Sequence, residues 1–485
     1  MTVAHDLQSL LGNDNVSTDP EVLAAYSADQ SFVQPRRPDV VARVSSVEDV
    51  QAVLQYANTT LLPVVPFSSG LNLHGATIPD QGGILLDLSE MRRIHAIDTE
   101  NWSAVIEPGV TAAQLQDALA PHGLRAMLPM GIHPRRSVLT SCLERDPAVA
   151  AASFEYGNEL IMDTEMVLPT GELFRTGLWA AGGRPGSPLG PVRAMMNRLW
   201  TGAQGTLGVF TKMNVKVECL PPLRRVRLFQ FDSFPEAIEP IKLIQHREIG
   251  MECFVLNNVN TAALLCPAWE VPDRFPAPPG DRQPFLSLRD QLPPWLLVVC
   301  LNSGPRMPEE RLAYEDAALD AVVAQARLQR YEDSALERLL CDELLRPWGI
   351  LKKFCYRGAV HDVSFKTMLK RVPDFQRILL EVLNRHHYPL ADVGVYILVI
   401  ERGRAVHCEF DIHGGIPSTS DAHAVQQLWT ELSRRFIDDG AFFDRPYGAW
   451  ADMVYSRAGT YTQKLKQIKK ELDPNNILNP GKLCF

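Results

Sequence analysis

The chain has 485 residues, 46% hydrophobic and 22% charged, which suits a globular protein of several domains at roughly 100–200 residues each. Lys plus Arg number 48 against 57 Asp plus Glu, a net charge of −9, and this excludes the broadly basic face of a nucleic-acid binder. Nine cysteines form no CxxC pair, so a disulfide scaffold, a zinc ribbon and an iron–sulfur cluster are not expected.

The first residues, MTVAHDLQSLLG, lack a basic patch followed by an apolar run, so no signal peptide is expected. No stretch nears ~18 uninterrupted apolar residues, so no membrane span is expected either. The default location is cytoplasmic. In chain order, 20–26 reads as a short helix and 40–44 as a strand. Residues 46–58 have helical spacing, with Val47, Val50, Val53, Leu54 and Ala57 on one face and Ser46 as N-cap. Strand-like runs follow at 63–67, 83–88 and 102–107. A helix capped by Thr111 runs to Leu119 and stops at Pro121. Residues 159–168 and 172–176 form a hairpin around Pro169-Thr170-Gly171, and 177–192 is loop. The alternating run 209–218 ends at Pro221-Pro222, a domain boundary.

Beyond 223 the pattern predicts strands at 226–231, 252–256, 295–301, 354–360, 395–399 and 405–413. Helices are predicted at 234–246, 309–329 and 375–384, the last ending in the cations Arg385-His386-His387. The proline-rich stretch between 267 and 294 reads as a surface excursion or lid. The order suggests an antiparallel sheet covered on one side, in an α+β fold. One amphipathic helix and a Pro/Gly-terminated tail are expected in the last forty residues. The domain expectation is 1–222, 223–444 and a C-terminal segment 445–485 that returns to the first domain.

There is no G-x-G-x-x-G after a strand, no G-x-x-x-x-G-K-[ST], no H-E-x-x-H and no G-x-S-x-G elbow. What does stand out is Pro66-Phe67-Ser68-Ser69-Gly70-Leu71-Asn72-Leu73-His74-Gly75-Ala76-Thr77. Backbone N–H groups of such a loop can cradle a pyrophosphate; a plain surface turn has the same composition. On one face of 405–413 lie His407, Glu409, Asp411 and His413. That row admits a catalytic wall, a metal site or a solvated sheet face. Arg445 suits an oxyanion or a surface salt bridge with Asp444.

The loop belongs to an ordered series. It includes Arg37-Pro38-Asp39-Val40-Val41, Ile106-Glu107-Pro108-Gly109-Val110-Thr111, 166–172, TGAQGTLGVFTK at 201–212 and DPNNILNPGK at 473–482. Over essentially the whole chain this set resembles the FAD-linked oxidase family of the vanillyl-alcohol oxidase or p-cresol methylhydroxylase type. That family also includes glycolate and D-lactate dehydrogenase subunits. Ser137–Arg145, Tyr156-Gly157, Ala405-Val406-His407 and Arg445 look more like its phenol-oxidising branch.

The resemblance implies a two-part FAD-binding domain and an antiparallel-sheet cap that builds the substrate pocket. FAD would lie across the first domain. It would touch Pro66, Ser68, Ser69, Gly70, Leu71, Asn72, His74, Pro129, Gly131, Ser137, Ser141, Gly205, Gly208, Val209 and Lys482. His407 and Arg445 would face the substrate, and Glu144 would lie near the flavin N5; the alternative for Glu144 is an exposed helix residue paired with Arg145. Tyr396, Glu409 and Tyr356 are further substrate candidates, Tyr396 being equally at home in a core. His74, Tyr356 and His361 are candidates for covalent attachment. No metal is assigned.

The chain departs from the phenol branch at Asp444, where that branch has Tyr before the Arg. It departs again at His407-Cys408, where two histidines are usual, and near His74, where a Gly-Tyr is replaced. The expected reaction is hydride abstraction from a phenolic, benzylic or alcohol substrate, with a D-2-hydroxy acid as the alternative. The electrons would pass to O2, a quinone, a cytochrome or an iron–sulfur subunit. A homodimer, or membership of a redox complex, is expected. The rival from another class is a non-catalytic subunit that keeps the fold.

Overall fold

The computed structural model describes residues 2–71, 73–152, 160–183, 196–416 and 419–485; Asn72 and Tyr156-Gly157 lie outside them. Three sheets follow one another along the chain. The first has the order Val16–Ser17, Val40–Arg43, Ile84–Asp87, Val64–Phe67, its last three strands parallel. Between them Val47–Thr60 forms the helix that the 3.6-residue spacing predicts, and Ser46 and Asp49 complete a capping box at its start. Val50, Val53, Leu54 and Ala57 are fully buried beneath it.

The second sheet is antiparallel and built around the long strand Val209–Cys219, which pairs with Ser103–Ile106 on one side and Ile161–Val167 on the other. The third begins at Arg224, just past Pro221-Pro222, and has seven strands, all antiparallel. Its order ends Val393–Ile400, Ala405–His413, Val360–Thr367. The helices Phe234–His246, Val372–Arg385 and Ala422–Asp438 share one core with one face of this sheet. This is the α+β arrangement expected. No helix among the described residues is long and apolar enough to cross a membrane.

Three local expectations are corrected. Residues 354–360 are not a strand: Gly349–Cys355 is a 3-10 helix, and the strand is Val360–Thr367. Both carboxylate oxygens of Glu343 accept from the backbone N–H groups of Gly349 and Ile350, which pins a tight turn onto an apolar run that otherwise reads as extended. The proline-rich stretch is more than an excursion. It carries the helix Gln283–Gln291 and plants Trp269 and Phe285 in a buried stack, ring centroids 5.0 Å apart. The C-terminal forty residues hold two helices, Trp450–Tyr455 and Gly459–Leu472. Trp450 still belongs to the cap core, whereas Ile477 and Leu478 sit in the core of the first sheet, where Leu478 bridges Val64.

Glu343 is almost fully buried, and desolvation pushes its carboxyl up to about 7. A raised acid destabilises the fold increasingly as pH climbs from its ordinary value through the raised one. Glu343→Gln keeps an acceptor without the charge. Its stability relative to wild type is therefore expected to rise from pH 5 to pH 8, by on the order of 3 kcal/mol. Urea denaturation at the two pH values checks this; a pH-independent difference would contradict it.

Candidate active site

Alternation along Ala405–His413 sends Val406, Cys408, Phe410 and Ile412 into the helix-covered core and His407, Glu409, Asp411 and His413 to the other face. Register adds neighbours to that second face. Lys366 stands opposite His407, Ser364 opposite Glu409 and Asp362 opposite Asp411; on the far side Tyr396 stands opposite Glu409 and Gly394 opposite Asp411. The wall is not solvated: His407, Asp411 and His413 are at most 2% exposed. It closes a cavity of about 830 Å³ whose other lining includes His74, Pro129, Gly131, Arg136, Asp146 and Lys353.

Burying this much charge requires partners. Lys353 reaches in from the 3-10 helix, and its Nζ donates to Glu409 Oε1 at 2.7 Å and to both oxygens of Asp411 at 2.9 and 3.0 Å. Asn260 Nδ2 donates to Asp411 Oδ2 at 2.9 Å. Gly394 makes room for it, since a Cβ there would run into both Asn260 Oδ1 and Asp411 Oδ2. Two carboxylates on one ammonium do not share it equally. Lys353 holds Glu409 well below the usual carboxylate range, whereas burial and the neighbouring Glu409 push Asp411 up to about 7.

Burial lowers His407 to about 4, so its imidazole is neutral at pH 7. Its Nδ1 lies 3.4 Å from Lys366 Nζ, and its Nε2 3.5 Å from Glu409 Oε2, longer than an ordinary hydrogen bond. Lys366 Nζ is in turn 3.2 Å from Asp444 Oδ1. The Tyr396 hydroxyl is buried with no hydrogen-bond partner among the described residues.

Arg445 lines the cavity and is fully engaged. Its guanidinium ion-pairs with Asp146 and lies 3.4 Å from Ser364 Oγ. Asp146 also binds Arg136 at 2.7 Å and accepts from Ser141 Oγ at 3.0 Å. Arg136 binds Glu144 at 2.5 Å. Two of the alternatives open for these residues assume a surface position, but Asp444 and Glu144 are both buried. Asp444 bonds Lys366, and Arg445 takes Asp146 from across the domain junction. Glu144 is buried on Arg136 rather than exposed beside Arg145.

The cavity opens into a trench along the first two sheets. One hollow of about 660 Å³ is lined by Pro66, Ser68, Glu144, Gly205, Gly208 and Val209. It shares Phe67, Ser68 and Thr77 with a hollow of about 1270 Å³ that takes in Ser69, Gly70 and Leu71. That second hollow shares Leu71, Leu73 and Phe275 with the cavity. Ser68 Oγ lies 2.7 Å from Thr140 Oγ1, and Ser69 Oγ accepts from the Ser137 backbone. Ser137 and Ser141 are buried supports beneath this floor. Lys482 ties the tail to Asp80 at 2.7 Å. Tyr356 does not line the cavity: its hydroxyl donates to Asp392 at 2.6 Å, and its ring packs on Phe285.

The trench fits the FAD that the resemblance implies. It is long and mixes apolar walls with hydroxyls. Gly205, at φ +70°, would place a Cβ 3.0 Å from Pro66, closing the groove. Gln204 Nε2 lies buried in its lining without a partner among the described residues and is available to a ligand acceptor. Among the described residues no group of three or more His, Cys, Asp or Glu is placed to hold a metal ion. Lys353, Lys366, Arg136 and Asp146 were not singled out from the sequence. The strand row was visible there, but the pairing register that brings Lys366 beside His407 was not.

Residues 38–177 match the model of the FAD binding domain, and 451–483 that of the C-terminal domain of FAD linked oxidases. The 4-cresol dehydrogenase [hydroxylating] flavoprotein subunit of Pseudomonas putida is 24% identical over 98% of this chain and 94% of its own length. A D-lactate dehydrogenase [cytochrome] of Arabidopsis thaliana is 27% identical over 47% of this chain and 39% of that protein. The crystal structure of p-cresol methylhydroxylase superposes with a TM-score of 0.79 at 19% identity, covering 99% of this chain and 95% of that one.

Asp146 bridges two guanidinium groups, Arg136 and Arg445, and is itself buried. Asp146→Ala is therefore expected to cost about 3–5 kcal/mol, read by urea denaturation; a loss under about 1 kcal/mol would show that the pairs contribute little.

Proposed function

The chain belongs to the FAD-linked oxidases, and we propose that this FAD-dependent oxidoreductase oxidises a neutral hydroxylated substrate of the phenolic, benzylic or alcohol type. The observation that carries this reading is the ion pair between Arg445 and Asp146. Each cation lining the cavity among the described residues has a carboxylate: Arg136 has Glu144 and Asp146, Lys353 has Glu409 and Asp411, and Arg445 has Asp146. A substrate carboxylate entering the cavity would have to displace one of them. A hydroxyl needs only a donor and an acceptor.

The segments around Ser68–Leu71, Glu144 and Gln204–Val209 would hold FAD. When bound, FAD supplies the hydride acceptor. The remaining tasks fall to side chains of the cavity. Tyr396, with its hydroxyl unpartnered and its own ionisation suppressed by burial, donates a hydrogen bond to the substrate oxygen. Neutral His407 accepts the hydroxyl proton at Nε2. Glu409 and Lys353 keep the wall rigid, which fixes the substrate's orientation. The electrons then pass to an acceptor outside the chain, such as O2, a quinone or a redox subunit.

A D-2-hydroxy acid is the second reading, favoured by the likeness to a D-lactate dehydrogenase; it requires Arg445 to leave Asp146. The two are separated by the anaerobic visible spectrum of the purified protein. The flavin band at roughly 450 nm is expected to bleach with a 4-alkylphenol or an aryl alcohol and to persist with D-lactate. Bleaching by D-lactate alone would overturn the neutral-substrate reading. Tyr396→Phe is expected to slow the bleaching about 10-fold or more, the effect of one lost hydrogen bond to the reacting oxygen.

A further inference from the structure

Lys366 is a buried lysine that the reaction outlined above does not yet use. It lies one strand away from His407, 6% exposed. Its backbone exchanges hydrogen bonds with Phe442, at 2.8 and 3.0 Å, and this bridge brings Asp444, two residues further on, to 3.2 Å from Nζ. The same nitrogen is 3.4 Å from His407 Nδ1. His407, Lys366 and Asp444 thus form a line leading from the cavity into the protein.

Resting on the reading of His407 as the base for a substrate hydroxyl, we propose that Lys366 is the positioning residue that places the proton on His407. As a neutral amine it accepts from Nδ1–H, which leaves the Nε2 lone pair facing the cavity. When the substrate O–H bond breaks, a new N–H forms at Nε2. The Nδ1 proton passes to Lys366, and the ammonium so formed is paired with the Asp444 carboxylate. As an ammonium before reaction, Lys366 instead donates to Nδ1, the ring proton sits on Nε2, and His407 cannot accept.

The surroundings favour the neutral amine. His407 faces Lys366 from the adjacent strand, with Cys408 next to it on that strand's other face; Asp444 and Arg445 approach from the segment after the Phe442 bridge, and Arg145 and Asp146 from the first domain. Burial comes first, then Arg445 and Arg145, and together they drive the amine well below its ordinary value against the pull of Asp146. Asp444 is pushed up to about 6 by burial, so above that pH it is ionised and ready to stabilise a proton arriving on Lys366. On its other side His407 meets Glu409 and Tyr396. The base is therefore lost as pH falls and Lys366 takes a proton from solvent.

The test is 15N NMR of histidine-labelled, oxidised holoenzyme at pH 8, the His407 signals being assigned by their loss in His407→Gln. The expected result is a neutral ring protonated on Nδ1 in wild type and on Nε2 in Lys366→Arg, whose guanidinium only donates. A wild-type ring protonated on Nε2 overturns the proposal without any variant. A ring unchanged in both Lys366→Arg and Lys366→Met overturns it as well. In turnover, Lys366→Met is expected to lower kcat about 100-fold, with KM little changed and the acid limb of the pH profile displaced. If the ring proton moves as expected but neither a 4-alkylphenol nor an aryl alcohol bleaches the flavin, the substrate reading fails and the relay stands. If the phenol bleaches the flavin and the ring proton does not move, the relay alone fails.

Discussion

Burying a row of ionisable side chains at the junction of two domains is the constraint around which this molecule is organised. His407, Glu409 and Asp411 project from one strand into the cavity, His407 and Asp411 almost fully buried. Each must find compensation in place, because an unpaired buried charge costs more than the fold can spare. Lys353, Asn260 and the missing Cβ of Gly394 answer Asp411 and Glu409. The partners come from a 3-10 helix and a short helix that also pack Ile350 and Leu264 into an apolar core with this face of the sheet.

The same requirement couples the two domains. Arg445 belongs to the segment that follows the cap, and Asp146 to the first domain, yet they form a buried pair. Arg136 and Glu144 extend that pair to the rim of the trench that fits FAD. The cavity and the trench are thereby joined by one continuous set of charges. A shift in the cap would have to break ion pairs and not merely slide apolar surfaces. The C-terminal segment reinforces the connection, with Trp450 in the cap core and Leu478 beside Val64.

The departures from the phenol-oxidising pattern are coherent in this light. Asp444 replaces a tyrosine ahead of Arg445, and the structure places it on Lys366. Cys408 replaces a second histidine, and alternation turns it into the apolar core, away from the substrate. One replacement adds a carboxylate beside Lys366 at the charged wall, whereas the other only fills volume in the core. In the reading proposed above, the charge balance that results suits a hydroxyl better than a carboxylate.

The amino-acid order by itself determined the elements whose signals are local. Helix caps at Ser46 and Thr111 depend on side chains three residues apart. The helix 234–246 and the strand 405–413 declare themselves by period, and the ordered motifs from residue 37 to residue 482 carry the family and its cofactor. The two faces of 405–413 were legible for the same reason, since alternation is a property of one strand. Whether the charged face met water or a cavity was not, because that depends on what another domain lays against it. Tertiary structure alone decided that Lys366 stands opposite His407, that Lys353 enters from a 3-10 turn, and that Arg445 is held by a residue 299 positions away. These are non-local contacts set by strand register and by the pairing that buried charge demands, and no window of neighbouring residues contains them.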